Sequence, residues 1–194
     1  GEMRRHPLFE KVLAIAFVQV IAFSMLEMAY VLFIERRFEL DPVETTLYAG
    51  RVFTFIGVVL ALVQGVFLRR LVLVFSEGKL LRLGIALVFG AMILIPLTPP
   101  GHWPFFLVAT AMAGAGQALV APTLLGFVSR MALDSTQGAA MGAYQSVSSL
   151  ARVVGPLSAG LLFDFAGENA PYQVAALLTV WTFWRAGKVS SSAS

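Results

Sequence analysis

Residues 12–34 read VLAIAFVQVIAFSMLEMAYVLFI, twenty-three positions with a single formal charge, Glu27. As a helix this stretch rises about 34 Å at about 1.5 Å per residue, enough to cross a hydrocarbon slab about 30 Å thick. Five more apolar stretches follow, at 46–68, 80–97, 104–128, 139–163 and 172–186, with polar connections between them. The pattern predicts an all-α membrane protein with six transmembrane helices. Residues 1–11 form a cytoplasmic N-terminal segment, 12–186 the transmembrane domain and 187–194 a flexible, serine-rich tail.

Composition points the same way. The 194 residues are 58% hydrophobic and 13% charged, with a mean hydropathy of +0.82, whereas soluble domains carry about 25% charged residues. Six helices apolar all round would leave none to make a water-facing surface. The first stretch is too long for a signal peptide, lacks a small-residue cleavage site and is followed by five others. With no cysteine, disulfides and cysteine metal sites are excluded.

Ten of the fourteen basic residues fall on one side of the expected bilayer: Arg4, Arg5, Lys11, Arg69, Arg70, Lys79, Arg82, Arg130, Arg185 and Lys188. Arg36 and Arg37 lie on the other, with Arg51 just inside the second stretch, and Arg152 is inside the fifth. The positive-inside rule then puts both termini in the cytoplasm. The net charge of +3 is accounted for by this bias, and no basic face with interleaved aromatics suggests a nucleic acid.

Charges inside the spans are costly, at least about 2.5–3.5 kcal/mol each on insertion scales, so each should meet a partner or a wet cavity. Glu27 and Arg51 sit at similar depth in adjacent antiparallel stretches, where a pair would pin the hairpin. A second reading makes Glu27 a protonatable or substrate-facing carboxylate. Gln19, Phe23, Glu27 and Tyr30 recur at spacings of four, four and three, which puts a polar and aromatic stripe on one helical face. That stripe suits a cavity wall, and it suits helix packing. Arg152 stays protonated and needs an acid, carbonyls, water or an anion. Gln117, in the fourth stretch, suits a cavity or an interhelical tie.

The fifth stretch carries small residues every four positions: Gly138, Gly142 and Ser146, then Ala151, Gly155 and Ala159. Such faces let helices approach closely. Pro156 removes a backbone donor and is expected to bend this helix, with Gly160 one turn beyond. His6 and His102 lie at opposite faces, so no histidine metal cluster or Ser-His-Asp set assembles within the spans. The chain reads as a non-enzyme without cofactor or metal.

The segment Val63-Gln64-Gly65-Val66-Phe67-Leu68-Arg69-Arg70-Leu71, followed by Phe75-Ser76-Glu77-Gly78-Lys79, resembles the cytoplasmic loop repeated in each half of the major facilitator superfamily, especially its drug-efflux, tetracycline-resistance-like branch. Gly114-Ala115-Gly116-Gln117-Ala118 through Pro122, then Gln137-Gly138, Gly142, Gln145-Ser146, Ser149-Leu150-Ala151-Arg152 and Gly155-Pro156 to Gly160, are similar to the last spans of that branch.

The resemblance covers nearly the whole chain and matches the C-terminal six-helix half. It implies that spans one and four line a central cavity, two and five face the partner half, and three and six face lipid. It also implies a multi-pass carrier of the inner (plasma) membrane, in which two six-helix halves rock about a midplane site. The second half is then a missing N-terminal half, a second copy or a separate chain.

Two functions follow as expectations. One is half of a proton-coupled efflux carrier for small amphipathic organic compounds. Gln19, Phe23, Glu27, Tyr30 and Gln117 would then contact substrate, and Glu27, Arg51 and Arg152 would serve coupling or ion pairing. The other is a carrier-derived structural or assembly subunit of a membrane complex, without transport of its own.

Overall fold

The computed structural model describes residues 7–192, so Arg4, Arg5 and His6 of the expected N-terminal segment and Ala193 and Ser194 of the tail lie outside the described residues. Its elements are all helical: α1 (Pro7–Arg37), α2 (Pro42–Leu62), a π-helical turn (Val63–Phe67), α3 (Leu68–Val74), α4 (Glu77–Leu94), α5 (Trp103–Met131), a short 3-10 turn (Asp134–Thr136), α6 (Gln137–Ala166) and α7 (Ala170–Ser192). Each apolar stretch of the sequence is helical, except that the third ends at Leu94 and its last three residues, 95–97, form a turn.

Four helical rods, 8–37, 42–74, 103–131 and 137–166, are long and apolar enough to cross a bilayer. The other two are more polar at the end that carries most of the basic residues. The 18 residues of α4 include Glu77, Lys79 and Arg82, and α7 includes Arg185 and Lys188.

Local chemistry sets the helix boundaries. Asp41 caps α2 by accepting from the Val43 and Glu44 N–H groups, both at 2.8 Å, while Glu44 accepts from the Asp41 N–H at 3.4 Å. This reciprocal capping satisfies donors that a helix start leaves open. His102 does the same for α5, its Nδ1 accepting from the Phe105 N–H at 3.2 Å. At the end of α6 Gly167 takes φ +94°, a conformation that side chains with a Cβ avoid.

The expected loop after the second stretch is mostly helix. Nothing in Leu68-Arg69-Arg70-Leu71-Val72-Leu73-Val74 breaks a helix, so α3 continues α2 and the connection shrinks to Phe75 and Ser76. The continuation passes through the π turn, where one extra residue per turn is accommodated around Gly65. At the other terminus α7 runs helical past Ala186 to Ser192.

Two apolar cores stack along α1. One joins Tyr30, Phe33, Met92, Phe106 and Tyr172, and the other joins Val12, Ile15, Leu81, Ile85, Leu124 and Val189. Helices surrounded by lipid gain little from hydrophobic burial against each other, so close van der Waals fit carries the packing. Glycines make two such fits. A Cβ on Gly84 would lie 2.8 Å from the Gly116 carbonyl oxygen, and one on Gly116 would lie 2.6 Å from that of Gly84, so α4 and α5 touch backbone to backbone. A Cβ on Gly155 would lie 2.7 Å from the Ser24 Cβ and 2.9 Å from the Ile21 carbonyl oxygen, which seats α6 against α1.

The C-terminal ends of α1, α4 and α6 meet at Arg37. Its Nη2 donates to the Pro96 carbonyl oxygen at 2.8 Å, just beyond α4, and lies 3.6 Å from a Glu168 carboxylate oxygen between α6 and α7. Arg37→Met keeps the stem and removes both contacts. It is expected to lower stability by about 1–2 kcal/mol, mostly through the charged hydrogen bond, because the ion pair is partly solvated. Thermal unfolding in detergent reads the change.

Candidate functional site

Helices α1 and α5 are the most enclosed of the four long rods, while α2 and α6 leave most of their apolar windows uncovered. The candidate site draws on polar groups of α1, α5 and α6. Glu27 on α1 is half-buried. The charge acting on it is that of Arg152, on α6, whose side chain is exposed. Tyr144, two turns before Arg152, lies in the field of the same guanidinium and beside Ser148, whose buried hydroxyl has no hydrogen-bond partner. On α5 Gln117 is half-buried with a partnerless side-chain carbonyl. Glu27 and Tyr144 thus share the field of one guanidinium, while Ser148 and Gln117 add unpartnered polar atoms to helices otherwise built of apolar residues. Polar groups without partners are costly at membrane depth unless they line protein or water-filled space.

Glu27 does not meet Arg51. Among the described residues the two form no ion pair, and the Arg51 guanidinium lies over the Tyr48 ring, 5.1 Å from its centroid. The hairpin reading fails because α1 packs its long contacts against α6 and α7 rather than α2. Arg51 instead borders a cavity of about 300 Å³ with Tyr48, Val52, Phe55, Trp103 and Leu107. That volume is at the small end of ligand pockets, about 300–1,000 Å³. Trp103 stacks on Tyr48 at 4.8 Å and on Phe38 at 3.8 Å, so the cavity has a rigid aromatic wall. The sequence reading found Arg51 but none of its aromatic neighbours, which lie near helix ends where aromatic residues signal only an interface.

The stripe Gln19, Phe23, Glu27 and Tyr30 does not share one environment. Each step of four residues turns the helix face by about 40°, so Gln19 lies about 80° around from Glu27. Gln19 is fully buried and its Oε1 accepts from the Thr182 hydroxyl of α7 at 2.7 Å. Phe23 is 7% exposed and Tyr30 not at all, so both belong to the core in this conformation. The Tyr30 and Thr110 hydroxyls are neighbours, yet neither completes a hydrogen bond.

Of the small residues on α6, Gly155 packs as described, with Pro156 beside it inside the continuous helix. Gly138, Gly142 and Gly160 face open space, as do Gly50, Gly57 and Gly65 on the α2 rod. Packing within this chain therefore rests on Gly155, Gly84 and Gly116, and the four-residue spacing of Gly138 and Gly142 lies on an uncovered face.

The loop motif is split between two helices. Gly65, Arg69 and Arg70 are exposed on the α2–α3 rod, while Glu77, Gly78 and Lys79 open α4. Glu77 is ion-paired with Arg130 at the end of α5, and Gly78 is buried. This pair ties the two helices whose glycines touch.

Comparison with known proteins identifies this arrangement. The chain is 29% identical over 171 residues to major facilitator superfamily domain-containing protein 10 of Bos taurus, covering 86% of this chain and 35% of that protein. It is 26% identical over 159 residues to multidrug resistance protein 2 of Bacillus subtilis (strain 168), covering 82% and 38% respectively. The crystal structure of the human organic anion transporter MFSD10 (TETRAN) superposes with a TM-score of 0.83 at 25% identity, over 92% of this chain and 40% of that one. The chain thus spans little more than a third of the length of these relatives. The sequence profile of the Major Facilitator Superfamily matches residues 12–189. With its sequence profile matched over residues 12–189, the chain belongs to the Major Facilitator Superfamily, whose members are multi-pass membrane transporters.

Proposed function

We propose that this chain is one half of a secondary active transporter that exports small amphipathic organic compounds in exchange for protons. Six crossings, with α4 and α7 spanning beside the four longer rods, give it the C-terminal-half arrangement that its sequence resembles. Both termini lie in the cytoplasm. A second six-helix body completes the carrier, covering the open glycine faces of α2 and α6.

The observation that carries the reading is Glu27, half-buried on α1 and within the electrostatic reach of the exposed Arg152 of α6, with which it forms no ion pair among the described residues. A charge on an uncovered helix face at membrane depth is expensive against lipid and inexpensive in a wet cavity. A carboxylate whose charge is held by one guanidinium can exchange that support for a proton when substrate or the other half moves the arginine away. Gln117 orients substrate by hydrogen bonding, and the Arg51 cavity with its aromatic wall accepts an apolar body bearing an anionic group. The relatives named multidrug resistance protein and organic anion transporter support this substrate class. Rocking of two rigid bodies about a midplane site supplies alternating access.

The test is reconstitution of the complete carrier, this chain with its complementary half, in proteoliposomes under an imposed pH gradient. An amphipathic organic anion with a fluorescent body should move against its gradient, and a protonophore should stop it. Glu27→Gln should remove the dependence on the pH gradient while exchange of labelled for unlabelled substrate continues. Pumping by Glu27→Gln at the wild-type rate would remove Glu27 from coupling. Absence of any movement by the complete wild-type carrier would sink the transport reading and favour a structural subunit.

A further inference from the structure

Two cavities lie between α4 and α7, share Phe183, and include none of the residues discussed above as a transport site. The first, about 280 Å³, is lined by Arg82 of α4 and by Phe183, Trp184, Gly187 and Lys188 of α7. The second, about 210 Å³, is lined by Ala86 and Phe89, one and two turns further along α4, and by Thr179, Val180 and Phe183. The two helices are antiparallel, so both sets move away from the basic end together. The result is a groove with a cationic mouth and an apolar continuation.

The details fit one kind of occupant. Arg82 stacks its guanidinium 4.7 Å from the centroid of the Phe183 ring, which leaves its in-plane N–H fork for an acceptor. Lys188 sits 3.5 Å over the Trp184 ring. Trp184 is 58% exposed, as expected of an indole at headgroup level. Gly187 leaves the wall open where a side chain would narrow it, with nothing within 4 Å of its absent Cβ. Further in, the single polar group of the slot is already used, because the Thr179 hydroxyl donates to the Ala175 carbonyl oxygen at 2.8 Å.

We infer that the groove between α4 and α7 holds one anionic phospholipid, its phosphate on Arg82 and Lys188 and an acyl chain along Ala86, Phe89 and Val180. Basic pockets between membrane helices select anionic headgroups on charge. A free phosphate leaves the apolar slot unfilled, and a zwitterionic lipid brings a cation of its own to a mouth that already has two. The inference requires only that the chain lie in a bilayer, and it is independent of what the carrier moves. In the orientation proposed above the lipid belongs to the cytoplasmic leaflet.

Native mass spectrometry of the detergent-purified chain, titrated in parallel with phosphatidylglycerol and phosphatidylcholine, tests it without any transport readout. The first phosphatidylglycerol should bind about 20-fold more tightly than phosphatidylcholine, the scale that two interfacial cations supply. Arg82→Gln with Lys188→Gln should reduce that preference to near unity, and Lys188→Gln alone should lower it about fivefold. Both side chains are exposed, and helical circular dichroism checks that the variants remain folded. Ala86→Trp, which fills the slot and leaves both cations, should lose the first lipid. Equal affinity for the two lipids, or an unchanged preference in the charge variants, would overturn the inference. So would displacement of phosphatidylglycerol by millimolar inorganic phosphate, which would mark an anion site without an acyl chain.

Discussion

Gly116→Leu is expected to leave little folded protein. A Cβ at this position would fall 2.6 Å from the Gly84 carbonyl oxygen and 2.9 Å from the Val88 backbone nitrogen. Neither is the far end of a flexible side chain, so relief requires α4 and α5 to separate. Overpacking a core ordinarily costs about 1–3 kcal/mol, and a clash with backbone on both sides should reach or exceed the top of that range. Separation also strains the Glu77–Arg130 ion pair that closes the same two helices. Gly114→Ala is the control. Its Cβ would meet Val59 and Ile56 side-chain atoms at 3.4 to 3.6 Å, ordinary contact distances. The substitution should be neutral or stabilising by up to about 1 kcal/mol through helix propensity. Thermal unfolding in detergent, followed by circular dichroism, separates the two. A Gly116→Leu protein as stable as wild type would mean that the backbone contact between α4 and α5 is absent.

The contrast between Gly116 and Gly142 shows what the sequence carries and what it withholds. Apolar length placed a helix in each of the six stretches, because lipid tolerates no other way to satisfy backbone groups. Glycine spacing suggested close approach on α6, and one of the positions named, Gly155, is such a contact, while Gly138 and Gly142 face open space. Spacing says which residues share a face but not what that face meets. Gly84 was invisible for the same reason: a lone glycine among Leu, Ile and Ala has meaning only through Gly116 on another helix.

Pairing failed in a related way for Glu27. Neighbours in the chain are the default neighbours in space, which favours Arg51 across the first hairpin. The structure instead puts Glu27 in the field of Arg152, 125 positions away and not ion-paired with it, because Gly155 seats α6 on α1 at Ser24. The extent of α3 was hidden by Arg69 and Arg70, whose charge reads as loop although nothing near them stops a helix.

Arg152→Leu separates a structural charge from a working one. If Arg152 faced lipid, its removal would stabilise the chain by at least about 2.5 kcal/mol on insertion scales. The proposed carrier predicts otherwise. Stability should change by less than about 1 kcal/mol, because an exposed guanidinium in a wet cavity contributes little. Transport by the complete carrier should fall by at least tenfold, since Glu27 loses the positive charge that faces it from α6.

Glu27→Gln should also reduce pH-driven movement, and the double variant should be no worse than the more damaging single one. Substitutions of groups that act as a unit do not add. A double-mutant cycle in proteoliposomes, measuring initial rates under a fixed pH gradient, reads the coupling. Additive losses would show that Glu27 and Arg152 act separately, and the exchange of an arginine for a proton at Glu27 would then have no physical basis.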